Sequence, residues 1–221
     1  MNAQPDLPAP SETPSRAATL PLVGSDLAFD FTNTASARGS AGQTEHLGAP
    51  AHVAAWARHA KVLTPEDATA IERMIAAKPA LGRDLLARAR ELREVVYRVG
   101  SAIAHGGSPE AADTDALARI HAACVARARL TPFGGNFVWC WRPADGAAEA
   151  ILGPIALSAL TLLAQSDLSR IKQCIGDHCG WLFFDTTKNK QRRWCEMEVC
   201  GNRAKQKAHR ARLAARAQPG A

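Results

Sequence analysis

Residues 174–201 read CIGDHCGWLFFDTTKNKQRRWCEMEVCG and contain four of the six cysteines of the chain. The cysteines form two pairs, each with four residues between its members, and fifteen residues separate the pairs. Two pairs of thiolates joined by a loop have the spacing of a closed tetrahedral zinc site. The pattern therefore predicts one structural Zn2+ per chain, with the ligands Cys174, Cys179, Cys195 and Cys200.

The residues next to these cysteines refine the prediction. Gly180 and Gly201 each follow the second cysteine of a pair, where the lack of a Cβ lets the chain turn under the metal and point backbone N–H groups at sulfur. His178, next to Cys179, is a competing ligand. Clustered cysteines in a reducing compartment are more often metal ligands than disulfides. The N-terminus does not resemble a signal peptide and we expect no apolar run as long as a membrane span, so the sequence predicts a cytoplasmic protein without membrane contact.

The sequence around the cysteines predicts a small folded unit. Residues 181–194, WLFFDTTKNKQRRW, alternate in polarity on both sides of a polar turn and predict a β-hairpin with a return strand that ends at Trp194. The alanine-rich sequence after Cys200 predicts a helix. Four alanines recur on one side of this helix, and we expect this stripe to pack on the hairpin: Ala204, Ala208, Ala211 and Ala215.

Positive charge is concentrated in this C-terminal part. The chain has 27 Lys and Arg against 21 Asp and Glu, a net charge of +6. Residues 170–221 hold twelve of the basic residues and four acids, or +8, and the rest of the chain carries −2. Four thiolates and Zn2+ add −2, so the unit keeps about +6, which predicts a polyanionic partner such as nucleic acid. The candidate nucleic-acid-binding residues are Lys188, Lys190, Arg192, Arg193, Arg203, Lys207 and Arg210. A solvated charged helix is the alternative.

Upstream of the cysteines the pattern is mostly helical. Apolar residues recur at helical spacing over most of residues 50–125 and 154–166, and Thr64 begins one helix as an N-cap. The alternation in DLAFDFTNT, residues 26–34, predicts a strand, and NFVWCWRP, residues 136–143, predicts another. We therefore expect an α+β protein: a mostly helical N-terminal domain with a few antiparallel strands, then a small four-cysteine zinc finger with a hairpin and a basic C-terminal helix.

The domain limits follow from these patterns. Residues 1–20 hold four prolines and few large apolar side chains, and they predict a disordered arm. The helical domain extends over 21–166, the finger over 167–216 and a short tail over 217–221. Because residues 20–165 contain their own apolar helices, we expect them to fold without the finger.

The tetrapeptide Cys200, Gly201, Asn202, Arg203 and the surrounding RIKQC, CGWLFFD and RRWCEMEVCGNRAK resemble the CGNR zinc finger family. In that family the finger usually follows an ABATE domain, a ligand-sensing module of stress-induced transcription regulators. LAFDFTNT, residues 27–34, resembles the LDFVNT motif of that domain, and Trp56 lies in the expected helix. The resemblance implies a zinc-dependent regulator that binds duplex DNA at the nucleoid. It also implies a small-molecule effector and allows a homodimer.

Candidate effector ligands are Asp30, Asn33 and Trp56, although Asp30, Asn33 and Thr34 could equally cap the next turn. The alternative function is a zinc-stabilised module that binds RNA or an acidic protein. We expect no enzyme, because the histidines are scattered and a four-thiolate zinc has no open position for substrate.

Overall fold

The computed structural model describes residues 15–38 and 40–217, with the side chains of 214–217 left aside. In this part of the chain there are seven α-helices: α1 (Leu27–Thr32), α2 (Pro50–His59), α3 (Pro65–Ala77), α4 (Pro79–Ala104), α5 (Ala111–Val125), α6 (Ala147–Gln165) and α7 (Asn202–Ala217). Six short strands form three antiparallel pairs: β1 (Ala35–Ser36) with β2 (Thr44–Glu45), β3 (Arg129–Phe133) with β4 (Asn136–Cys140), and β5 (Ile171–Gln173) with β6 (Leu182–Phe184). The expected α+β class is confirmed.

The long helix α4 is the centre of the helical domain. Helices α1, α2, α3, α5 and α6 all pack against it. Its apolar stripe, which includes Leu85, Leu92 and Val96, is buried as the helical spacing predicts. The Thr64 side chain accepts a hydrogen bond from the Asp67 N–H and caps α3, as expected.

Helix α6 is more apolar than the sequence analysis allowed. It has 19 residues and a mean hydropathy of 1.8, which is sufficient in length and composition to cross a membrane. The expectation that no segment reaches this length is therefore wrong. However, 56% of its apolar 18-residue segment is buried inside the protein, and the helix packs against α1, α4 and α5. This is the environment of a core helix in a folded domain.

Residues 27–32 form helix α1, so the predicted strand is wrong. Asp26 caps the helix by accepting a hydrogen bond from the Ala28 N–H at 2.9 Å. Phe29 and Phe31 are both buried, but in two different apolar clusters on either side of the helix. A six-residue helix that packs on both sides shows no helical periodicity, and its alternation resembled that of a strand.

The structure describes residues 15–20 of the predicted disordered arm. Ala17 and Leu20 are buried, and a 3-10 turn at Ala17–Thr19 packs on α2. The Ser15 hydroxyl donates to the His46 carbonyl at 2.7 Å. Residues 15–20 are thus part of the domain, contrary to expectation. Residues 1–14 and 218–221 lie outside the described part.

The finger is joined to the helical domain by a shared core. Leu182 of β6 is fully buried with Phe29, Leu162 and Ile171. It packs directly on the backbone of α4 at Gly100, where a Cβ would lie 2.8 Å from Leu182 Cδ1. This contact argues against independent folding of residues 20–165. Independent folding and the domain limits both stay predictions.

Replacing Leu182 with alanine is expected to lower the free energy of unfolding of the whole chain by about 3 kcal/mol, because a cavity opens between β6, α1 and α4. Chemical denaturation followed by far-UV circular dichroism measures the change. The control Leu168→Ala removes a side chain that is 38% exposed and should cost less than about 1 kcal/mol. If Leu182→Ala leaves the helical domain as stable as before, the shared core is not important.

Candidate metal centre

The four predicted cysteine ligands meet at one point. Their sulfurs all lie within 4.8 Å of one another, with 3.7 Å between the Sγ atoms of Cys179 and Cys195 and 3.6 Å between those of Cys195 and Cys200. A tetrahedral zinc with bonds of about 2.3 Å holds its sulfurs roughly 3.8 Å apart. The cluster therefore has the size and the donor set for one structural Zn2+, held by Cys174, Cys179, Cys195 and Cys200.

The electrostatics of the sulfurs also favour a cation. Cys174, Cys195 and Cys200 are buried. Hydrogen bonds to Cys174 and Cys179, together with burial, raise the pKa of the Cys195 thiol. Burial likewise raises the pKa of Cys200. Four sulfurs this close cannot all ionise unless a positive ion compensates them, and bound zinc would stabilise all four thiolates and cross-link the two pairs.

The glycines have different roles from each other. Gly180 has φ +70°, which gives the turn expected after Cys179. Gly201 instead belongs to a π-helical turn, Met197–Gly201, and its N–H donates to the Glu196 carbonyl rather than to a sulfur. One N–H that does reach a sulfur belongs to Gly176, 3.4 Å from Cys174 Sγ.

His178 is exposed and has φ 55°. Among the described residues, the group of metal-binding side chains at this site contains the four cysteines and not His178. The histidine is therefore not placed to replace a thiolate.

The predicted hairpin between the cysteine pairs is wrong. Strand β6 pairs with β5, which precedes the first cysteine, and the return segment 187–194 is irregular. Asp185 organises this segment: its buried carboxylate accepts hydrogen bonds from the N–H groups of Thr187 and Arg192, both at 2.9 Å. Although burial opposes ionisation, these bonds and the Lys172 ammonium lower the pKa of Asp185 to about 2. The signal in the sequence was the Asp-Thr-Thr run, which is typical of an Asx turn.

Arg192 has its guanidinium inside the fold. It donates to the carbonyls of Val23, Trp194 and Cys195 and lies 4.3 Å from the Phe183 ring centroid. This arginine therefore ties the cysteine cluster to the segment before α1. Few of its donors are available to an external partner.

The other candidate cations lie at the surface. Lys190 pairs with Asp167 at 2.6 Å, and Lys207 pairs with Asp177. Arg193 is exposed and lies 5.4 Å from the Trp194 ring centroid. Within the described residues, the remaining three candidates are exposed and have no hydrogen bond, ion pair or ring contact: Lys188, Arg203 and Arg210.

The alanine stripe of α7 does not pack as predicted. Ala208 and Ala211 are exposed and Ala204 is half-buried, while the side chain of Ala215 lies outside the described part. With Ile175, Gly176 and Asp177, the stripe lines an open cleft of about 290 Å³. The reason is that β6 pairs with β5 and so presents no hairpin to the helix.

The three candidate effector ligands do not surround a common cavity. Trp56 is fully buried in the core with its ring centroid 4.9 Å from that of Phe31. Asn33 is buried and binds the backbone of Leu182 through both side-chain atoms, each at 3.0 Å. Asp30 accepts from the Gly24 N–H at 2.8 Å, and burial raises its pKa to about 6. These contacts are structural, but neither Asp30 nor Asn33 caps the next turn as the alternative suggested, because Asp30 binds the Gly24 N–H and Asn33 binds Leu182.

Comparison with known families agrees with this geometry. A family model named ABATE, described as "Putative stress-induced transcription regulator", matches residues 25–166, and the model described as "CGNR zinc finger" matches residues 170–213. The chain belongs to the ABATE family. Its ABATE domain is thus followed by a CGNR zinc finger, as the motifs predicted. No curated protein matches the chain.

Purified ABATE protein is expected to contain one zinc per chain. Cys195→Ser should lose the metal and destabilise the finger, because three thiolates and a buried hydroxyl no longer match the zinc. Elemental analysis and thermal unfolding measure both effects. Cys140→Ser, outside the cluster, is the control and should keep the full zinc content; equal zinc in the two variants would contradict the assignment.

Proposed function

We propose that the protein is a zinc-dependent DNA-binding regulator of transcription whose finger binds duplex DNA mainly through phosphate contacts. The observation that carries the proposal is that helix α7 and the basic segment 187–194 lie on either side of one exposed side chain. Ile175, 52% exposed, lines one cleft with Arg203 and Lys207 and a second with Arg193.

The exposure of α7 supports the same proposal. All its described side chains are exposed except Ala204, which is half-buried. A helix of 16 residues is about 24 Å long. Arg203, Arg210 and Arg212 lie along it and are exposed, so a polyanion could contact several of them together. An exposed basic helix of this length fits a DNA groove or backbone. Within the described residues, no other element covers its basic side chains.

The role we propose for the metal is structural and the protein is proposed to be non-enzymatic. Four protein thiolates complete the coordination of zinc and leave no position for a reacting water. The finger would then act by presenting cations, and the protein would associate with the nucleoid.

Effector sensing by the ABATE domain stays a prediction. The place that we propose for it is a cleft of about 440 Å³ lined by Asp26, Trp139, Trp141 and Ser158. Aromatic walls with a few polar groups are typical of small-molecule sites. Asp26 also caps the N-terminus of α1. Asn33, at the C-terminus of the same helix, binds Leu182 of the finger, so α1 connects the cleft to the finger.

Replacing Arg203 and Arg210 together with alanine tests the DNA proposal. Neither guanidinium has a described partner within the chain, so folding and zinc content should not change. If each arginine contacts a phosphate, affinity for duplex DNA falls and the slope of log K against log salt becomes shallower by about 2. Fluorescence anisotropy over a salt series gives both quantities.

The matched control is Arg83→Ala with Arg119→Ala, which removes the same charge from exposed positions of α4 and α5. The control should keep the affinity and slope of the unmodified protein. If both double variants lower the affinity and the salt slope equally, net charge and not the finger surface determines binding. If neither affects DNA binding, an RNA or an acidic protein becomes the better partner.

A further inference from the structure

The β3–β4 hairpin is an exposed apolar surface that the proposed DNA contacts do not use. Five large apolar side chains of the hairpin are 42–72% exposed: Leu130, Phe133, Phe137, Val138 and Trp139. Side chains alternate along a strand, so Leu130, Phe137 and Trp139 share one face, where at about 200 Å² for a large side chain they expose roughly 330 Å². This is as large as the largest apolar patch of a typical monomer and about two fifths of one side of a standard protein interface.

The backbone of β4 has a free edge. Gly134 and Gly135, with φ +56° and +83°, form the two-residue turn, so Phe133 and Asn136 close the hairpin as a hydrogen-bonded pair. Pairs alternate along an antiparallel ladder, and the N–H and C=O groups of Phe137 and Trp139 therefore point away from β3. None of these groups has a hydrogen bond within the described residues.

The two edges of the hairpin differ in a way that identifies the paired edge. Pro132 stands opposite Phe137 on β3 and lacks an N–H, so the β3 edge is blocked against a further strand. The β4 edge contains no proline, and residues 130–141 contain no charged side chain. Exposed strand edges are usually protected by charge or proline, and β4 has neither.

We propose that β4 pairs with β4 of a second copy of this chain, antiparallel and about a two-fold axis at Val138, to form a four-stranded sheet. In this register Phe137 stands opposite Trp139 of the partner subunit, and the two pairs make four N–H···O bonds. The edge is complementary to itself, as a two-fold interface requires. The aromatic pairs lie on one face of the sheet, where such cross-strand pairs stabilise it.

The first test is the mass of the full, zinc-loaded chain by sedimentation velocity across the micromolar range. The unmodified protein should have twice the chain mass of 23.5 kDa. Phe137→Pro removes an outward N–H but no hydrogen bond of the hairpin itself, so it should yield a folded monomer. The control Phe133→Ser removes an equally exposed ring from the other face of the hairpin and should stay dimeric.

A cross-link tests the register. In a Cys140→Ser background, Val138→Cys places two cysteines on the two-fold axis with Cα atoms about 4.5 Å apart, within reach of a disulfide. The control Thr131→Cys, paired with Val138 in the same hairpin, would lie roughly 14 Å from its copy and should not cross-link. Non-reducing electrophoresis of mildly oxidised protein measures both.

Two results would overturn the proposal. One is a monomeric unmodified protein, in which case the hairpin would contact a different molecule. The other is a dimer that persists in Phe137→Pro and in which Val138→Cys does not cross-link, because the dimer would then use another surface.

Discussion

The side chain of Asn33 binds the backbone of Leu182 as a neighbouring strand would. Its Nδ2 donates to the Leu182 carbonyl and its Oδ1 accepts from the Leu182 N–H, both at 3.0 Å and both buried. These bonds satisfy polar groups of β6 that enter the apolar cluster with Leu182. The insertion of Leu182 against Gly100 depends on this pairing, since an unpaired peptide in that position would be costly.

Further contacts reinforce the same junction from the finger side. The Phe184 N–H donates to the Gly24 carbonyl at 2.8 Å, and Gln173 donates to the Tyr97 hydroxyl at 2.8 Å. Arg192 connects the Val23 carbonyl to that of Cys195, a zinc ligand. The metal centre and the core of the ABATE domain are therefore separated by only a few residues. A change in α1 has a direct structural route to the finger.

The sequence predicted what depends on local spacing. The zinc ligands follow from two cysteine pairs and the α4 stripe from helical periodicity, and both are as expected. The strand at residues 26–34 was wrong because α1 is buried on two sides, which removes the helical signal. The hairpin after Cys179 was wrong because the partner of β6 comes from residues 171–173, and no turn motif marks a pairing across the cysteine loop. Arg192 was predicted to bind phosphate because the sequence does not show which backbone carbonyls will surround a guanidinium in the fold.

Hydrogen exchange of the helical domain with and without zinc tests the central claim that the finger and this domain share one core. Removing zinc by chelation should release β6 from its position and increase the exchange of amides in α1 and α4, far from any cysteine ligand in sequence. Helix α3, which packs on α2 and α4 and contributes no described side chain to the apolar cluster around Leu182, is the internal reference. Faster exchange in α1 and around Gly100, with α3 less affected, is the predicted result. Unchanged exchange in α1 and α4 after loss of the metal would contradict it.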